Sequence, residues 1–230
     1  MTLLILSLAP VFLLMAYVYF RDKYEKEPIG LILRGMMAGV LVIFPVVAVE
    51  RALEYLAPGL SQTGDAAYKG FVVAGATEEL FKFLILYLLF WRNRNFNERY
   101  DGIVYAVAVS LGFAAVENVI YVTESSVRVG LLRAVTAIPG HTLFGILMGY
   151  YLGLAKFIPS RKSEFLQKAF IVPWLFHGMY DFLILSKQPV LILAFIPFLL
   201  ILWRTGLRRM KQHVDASIFR NTPPPPPGIF

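Results

Sequence analysis

The sequence predicts an all-α fold: a polytopic transmembrane helix bundle of about seven spans, with the N-terminus outside and the C-terminus cytoplasmic. Three observations carry this. First, 58% of the 230 residues are hydrophobic, 16% are charged, and mean hydropathy is +0.65, whereas soluble domains run near 25% charged. Second, apolar runs recur at 3–20, 29–49, 68–91, 102–122, 131–154, 165–185 and 190–203, most of them near the ~20 residues that a bilayer core requires. Third, Lys and Arg are segregated: fifteen lie in the stretches after spans one, three and five and in the C-terminal tail, against five in the other loops. The positive-inside rule fixes the orientation from that asymmetry.

The first span has no Lys or Arg before it, and Arg21, Lys23 and Lys26 just after it, the reverse of a cleaved signal peptide. The third span carries Glu78, Glu79 and Lys82, and the fourth carries Glu117 and Asn118. The fifth contains Pro139, which predicts a kink or a late start, and His141. It also has Gly145, Gly149 and Gly153 at four-residue spacing, a pattern for close helix packing. The sixth holds His177 and Asp181, and the seventh is short. Residues 1–205 read as one membrane-embedded domain. Residues 206–230 read as a basic, then proline-rich cytoplasmic tail ending in NTPPPPPGIF, a polyproline II segment.

Composition also excludes. With no cysteine there is no disulfide, no thiol nucleophile and no cysteine-ligated zinc. The net charge of +7 is a topology signal, so no nucleic-acid partner is expected. The partners expected are the lipid bilayer and a membrane protein.

The polar residues inside the spans are the functional signal, because a charge at the bilayer centre costs about 2.5–3.5 kcal/mol on insertion scales. On a helical wheel Glu78, Lys82 and Glu79 fall within about 100° of one another, with Lys82 between the carboxylates. One lysine cannot neutralise two carboxylates, and that imbalance is how an acid–base pair is prepared. The small residues Ala106, Ser110 and Ala114 share the Glu117 side of their helix, which turns Glu117 toward the bundle interior. His177 and Asp181 stand at i and i+4, where a carboxylate orients an imidazole. Glu78, His141 and His177 each lie about ten residues from a membrane face, or about 15 Å in. Glu117 and Asp181 sit somewhat outward. Four spans thus present polar groups at comparable depth, as around a water-accessible cavity.

Several chemistries fail on pattern. There is no HExxH, no GxGD and no GxS setting for Ser110, and the last span has no lysine for a retinal Schiff base. A hydrolase built on Glu, His and Asp remains. So do a proton- or cation-coupled transporter using the same cluster, and a non-catalytic scaffold with a buried polar network. No internal repeat of the kind many transporters show is visible.

The motifs EELFK, ENVIY, GHTLFG and FHGMYDF resemble the PrsW family of bacterial intramembrane proteases, over the chain from its first span to the basic segment after span seven. More distantly they resemble the CAAX-protease and bacteriocin-processing superfamily. That group has an Arg four residues after its second Glu and an Asn in its last motif. Here Lys82 comes three after Glu79, and Asp181 replaces the Asn, departures that fit PrsW better than a prenyl-protein protease.

The resemblance implies a multi-pass protein of the bacterial cell membrane. It implies a glutamic-type endopeptidase that cuts a single-span anti-sigma factor on its extracytoplasmic side, as the first of successive cleavages in a stress response. Carried over by position, Glu78 is the general base. His141 and His177 hold the water or the oxyanion, and Asp181 orients His177. Glu79 and Lys82 set the local charge, with Glu117 and Asn118 in support. This glutamate mechanism requires no metal, so no cofactor is expected, although Glu, His and Asp are donors that zinc accepts.

Overall fold

The computed structural model describes residues 2–57, 59–124 and 127–221, and every regular element in it is helical. The nine helices among the described residues are α1 (Thr2–Arg21), α2 (Ile29–Tyr55), α3 (Gln62–Ala67), α4 (Thr77–Phe90), α5 (Asp101–Glu124), α6 (Val127–Val135), α7 (Ala137–Phe157), α8 (Lys162–Leu185) and α9 (Pro189–Asp215). A π-helical stretch, Tyr68–Ala76, joins α3 to α4, so the third expected span is one continuous helical rod from 62 to 90.

Among the described residues, five segments are long and apolar enough to cross a membrane, and α1 adds a shorter apolar stretch, Leu8–Arg21. With the rod at 62–90 these account for the seven apolar runs. Large side chains such as Phe44 of α2 and Val190 and Leu193 of α9 point outward, as lipid-facing residues do. The fifth run starts late, as Pro139 predicts. The chain breaks at Thr136, and α7 begins at Ala137 with Pro139 in its first turn, where a missing N–H costs nothing. The seventh helix is longer than its apolar run, because α9 continues through Arg204, Arg208 and Arg209 to Asp215. Its far end is held by His213, whose Nε2–H donates to the Tyr150 carbonyl at 2.9 Å. The proline run lies outside the described residues.

Helix α7 forms the centre and is buried along nearly its whole length. The glycines at four-residue spacing explain how α5 approaches it. A Cβ on Gly149 would sit 2.6 Å from the Gly102 carbonyl carbon, and one on Gly145 would meet Ser110 Oγ at 2.8 Å. We expect Gly149→Ala to cost roughly 1–3 kcal/mol through overpacking and to lower Tm by about 5 °C. An unchanged Tm in a thermal unfolding scan would contradict the close approach. The same device brings α8 against the π-helical stretch. A Cβ on Gly70 would lie 2.7 Å from the Gly178 carbonyl oxygen, and one on Gly75 would lie 3.0 Å from the Gly178 nitrogen. That contact sets His177, one residue before Gly178, beside Glu79.

Candidate active site

The charged triplet opens α4 directly after the π-helical stretch. A π turn widens the helix and shifts the face its side chains present, and such turns are frequent at functional sites. Glu78, Glu79 and Lys82 are all buried, Lys82 to 1% exposure. Lys82 lies between the two carboxylates, as the helical wheel predicts: its Nζ donates to Glu78 Oε2 and to Glu79 Oε1, both at 2.9 Å. Its third contact is His141 Nδ1 at 3.1 Å.

An ammonium has three donors and no acceptor. Nδ1 of His141 is therefore the acceptor, and its proton is on Nε2. That Nε2–H donates to Glu117 Oε2 at 2.8 Å. Glu117 in turn pairs with Arg133 Nη2 at 2.9 Å, and Arg133 Nε donates to Asn118 Oδ1 at 3.2 Å. A chain of hydrogen bonds thus runs from α6 through α5 and α7 to α4. His177 stands between two acids: Nδ1 lies 2.9 Å from Glu79 Oε1 and Nε2 lies 3.5 Å from Asp181 Oδ2. The Nδ1 contact is a hydrogen bond, and the longer Nε2 contact is at most a loose electrostatic one. Phe144 stacks on the His177 ring at 4.8 Å, and Phe113 lies under the Lys82 ammonium at 4.3 Å, so apolar rings flank the cluster.

In front of it opens a cavity of about 510 Å³. Glu78, Glu117, His141, His177 and Asp181 line it, whereas Glu79 and Lys82 stand behind its wall. Its rim is formed by Glu50, Arg51 and Glu54 near the end of α2, with Tyr121 of α5 and Leu185 of α8. The cavity therefore opens at the end of the bundle where α2, α5 and α8 finish.

All eight residues expected from the sequence meet in one network. Sequence reasoning missed Arg133, Glu50 and Tyr180, which also line the cavity. Arg133 carries a usable signal, a charge just inside the apolar run 131–154, although its position near the end of that run also suits a loop. Glu50 sat one position past the end of its run. Tyr180 gave no signal distinct from an ordinary core aromatic.

Glu78, Glu79, His141 and His177 each offer a ligand atom, all within 4.8 Å of one another, a nitrogen and oxygen set that suits zinc in kind. Three of these four residues already hydrogen-bond to Lys82.

A family model described as PrsW family intramembrane metalloprotease matches residues 27–203. Among curated proteins, Protease PrsW of Geobacillus kaustophilus is 36% identical over 218 residues, covering 95% of both chains. Protease PrsW of Bacillus subtilis is 36% identical over 93% of this chain and 96% of its own. Protease PrsW of Clostridioides difficile is 32% identical over 94% and 92%. No solved structure matches the chain.

Proposed function

The chain belongs to the PrsW family of intramembrane proteases, and from that membership we propose that it cuts a single-span membrane protein through a water activated by Glu78. The observation that carries the proposal is the division of labour at the cavity wall: of the two adjacent glutamates, only Glu78 faces the cavity.

Glu79 is occupied by Lys82 and His177. Its place behind the wall suits it to hold those two cationic groups in position. Glu78 is the carboxylate that an entering water meets, and it takes the proton as water attacks the scissile carbonyl. It then returns that proton to the departing amine. His177, at the weaker 3.5 Å contact with Asp181, can turn its Nε2–H to the developing oxyanion. Asp181 restrains that ring. His141 has both nitrogens engaged, so it acts as a positioning residue between Glu117 and Lys82.

The matching family's description includes a metal, and this donor set fits one by type. Glu78, Glu79, His141 and His177 would hold it, and a bound zinc would polarise the carbonyl and acidify the water. Lys82 already supplies a cation to three of those residues, and the proposed mechanism uses the side chains alone. On that reading, cleavage by purified enzyme persists after treatment with EDTA and 1,10-phenanthroline. Activity lost to the chelator and regained on adding Zn²⁺ would transfer the four residues to a metal.

The Lys and Arg asymmetry supports an orientation with the end where α2, α5 and α8 finish outside the cytoplasm. The cavity opens at that end, which supports cleavage on the extracytoplasmic side. An anti-sigma factor with one span is the proposed substrate, on the family resemblance. The test is co-expression of a tagged anti-sigma factor from the same genome with this chain, followed by blotting. A shortened product that depends on this chain supports the proposal. The intact substrate alone, under the inducing condition, contradicts it.

A further inference from the structure

The other end of the bundle holds a second acidic cluster that the proteolytic reading does not use. Asp22, Glu25 and Glu27 come from the stretch between α1 and α2, Glu98 from the stretch between α4 and α5, and Asp101 opens α5. Ligand oxygens of Asp22, Glu98 and Asp101 lie within 4.8 Å of one another, and so do those of Glu25, Glu27 and Asp101. Asp101 is therefore shared between two triads.

Acidic clusters alone mean little, but this one is buried and unpaid. Asp22, Glu27, Glu98 and Asp101 are each at most 2% exposed. Glu98 is the decisive member: both of its carboxylate oxygens are buried without a hydrogen-bond partner. The Ser217 side chain lies near it without meeting hydrogen-bond geometry. Asp22 Oδ2, Glu25 Oε2, Glu27 Oε1, Asp101 Oδ1 and Asn97 Oδ1 are buried and unpartnered as well.

The opposite oxygens are anchored. Asp101 Oδ2 accepts from the backbone N–H groups of Asn97 and Glu98 at 2.8 and 2.7 Å. Glu27 Oε2 accepts from the Tyr105 hydroxyl, and Glu25 Oε1 accepts from Asn97 Nδ2 at 3.3 Å. One oxygen of each of these carboxylates is thus fixed while the other faces the shared space, where Glu27 and Asp101 meet.

Nearby cations answer the charge only through space, Lys26 on Asp22 and Lys156 on Asp101. Lys26 Nζ donates to the backbone carbonyls of Tyr19 and Asp22, and Lys156 Nζ to those of Trp91 and Asn93. Among the described residues, no Lys, Arg or His side chain makes an ion pair with any of the five carboxylates. Burial and the neighbouring carboxylates push the Asp22 carboxyl up to about 7 and that of Glu27 up to about 8. Buried charges are paired or coordinate metals.

We propose that these residues form a site for a hard divalent cation, which ties the α1–α2 stretch to the start of α5. The donors are all oxygen, with neither imidazole nor thiolate, and that set suits Mg²⁺, Ca²⁺ or Mn²⁺ rather than zinc. The ion fastens the near end of α5, the helix whose far end carries Glu117 into the cavity.

The test uses the full chain in a neutral detergent, stripped with chelator and exchanged into chelator-free buffer. Thermal unfolding is followed with MgCl₂ or CaCl₂ added singly. A stabilising rise in Tm of about 5 °C is expected at a hundredfold excess over Kd, and the two salts separate Mg²⁺ from Ca²⁺. Mn²⁺ paramagnetic resonance on the same wild-type sample reports bound ions without any variant. Glu98→Gln is expected to weaken Mn²⁺ binding at least tenfold. Glu78→Gln is expected to leave the response intact, which separates this site from the cavity. Indifference of wild-type Tm to both salts, with no bound Mn²⁺, overturns the proposal. So does a response that Glu98→Gln leaves unchanged.

Discussion

Glu78→Gln is expected to insert, fold and accumulate in the membrane while losing cleavage by at least about 10²–10⁴-fold, the range that positioned general bases contribute. The amide keeps the size of the carboxylate, and its oxygen can still accept the Lys82 hydrogen bond that Glu78 Oε2 accepts at 2.9 Å. Lys82 retains Glu79 and His141, so the stability cost should stay near 1–3 kcal/mol. The same change at Glu79 should behave differently. That residue faces Lys82 and His177 rather than the cavity, and its loss should lower stability as well as rate. Single-turnover cleavage and thermal unfolding on both variants check the pair. Wild-type activity in Glu78→Gln would remove this residue from the role of base.

Lys82→Met is expected to have the largest effect on stability. The substitution leaves two adjacent, buried carboxylates without their shared donor, and it leaves His141 Nδ1 without a proton to accept. Removing one partner of a buried ion pair costs about 3–5 kcal/mol, a large share of the 5–15 kcal/mol typical of folded domains. The expected readout is low accumulation, or a Tm far below wild type in detergent. A second substitution tests the cause. Adding Glu79→Gln removes one stranded charge and should recover about 0.5–3 kcal/mol. A Lys82→Met protein as stable as wild type, or a double variant no better than the single one, would contradict the network.

Much of this was legible in the chain because membranes make polar residues conspicuous. Glu78, Glu79, Lys82, Glu117, His141, His177 and Asp181 stood out against apolar runs, and helical periodicity alone put Lys82 between its carboxylates. Depth counting then brought four helices to one level. The glycine spacing of α7 was equally readable, since close helix approach needs small residues.

Other features were hidden for identifiable reasons. Which glutamate faces the cavity depends on the π-helical stretch before α4, and a regular wheel of ~3.6 residues per turn cannot register that. The role of Arg133 depends on the break at Thr136, which tips α6 so that its last turn reaches Glu117. The length of α9 was hidden because its final turns are polar and packed against α7 rather than against lipid. The acidic cluster at the far end was hidden because its members lie in two loops and at the first position of α5, where carboxylates look like ordinary solvated charges until the fold buries them.

The most direct test is a reaction with purified components. The wild-type chain or Glu78→Gln is reconstituted into liposomes with one tagged, single-span anti-sigma factor, and the products are weighed by mass spectrometry. The account predicts two fragments whose masses sum to the substrate plus one water, cut on the extracytoplasmic side of its span, from wild type alone. Fragments of the same mass from Glu78→Gln would contradict it, as would intact substrate beside a proton or cation flux that Glu78→Gln abolishes.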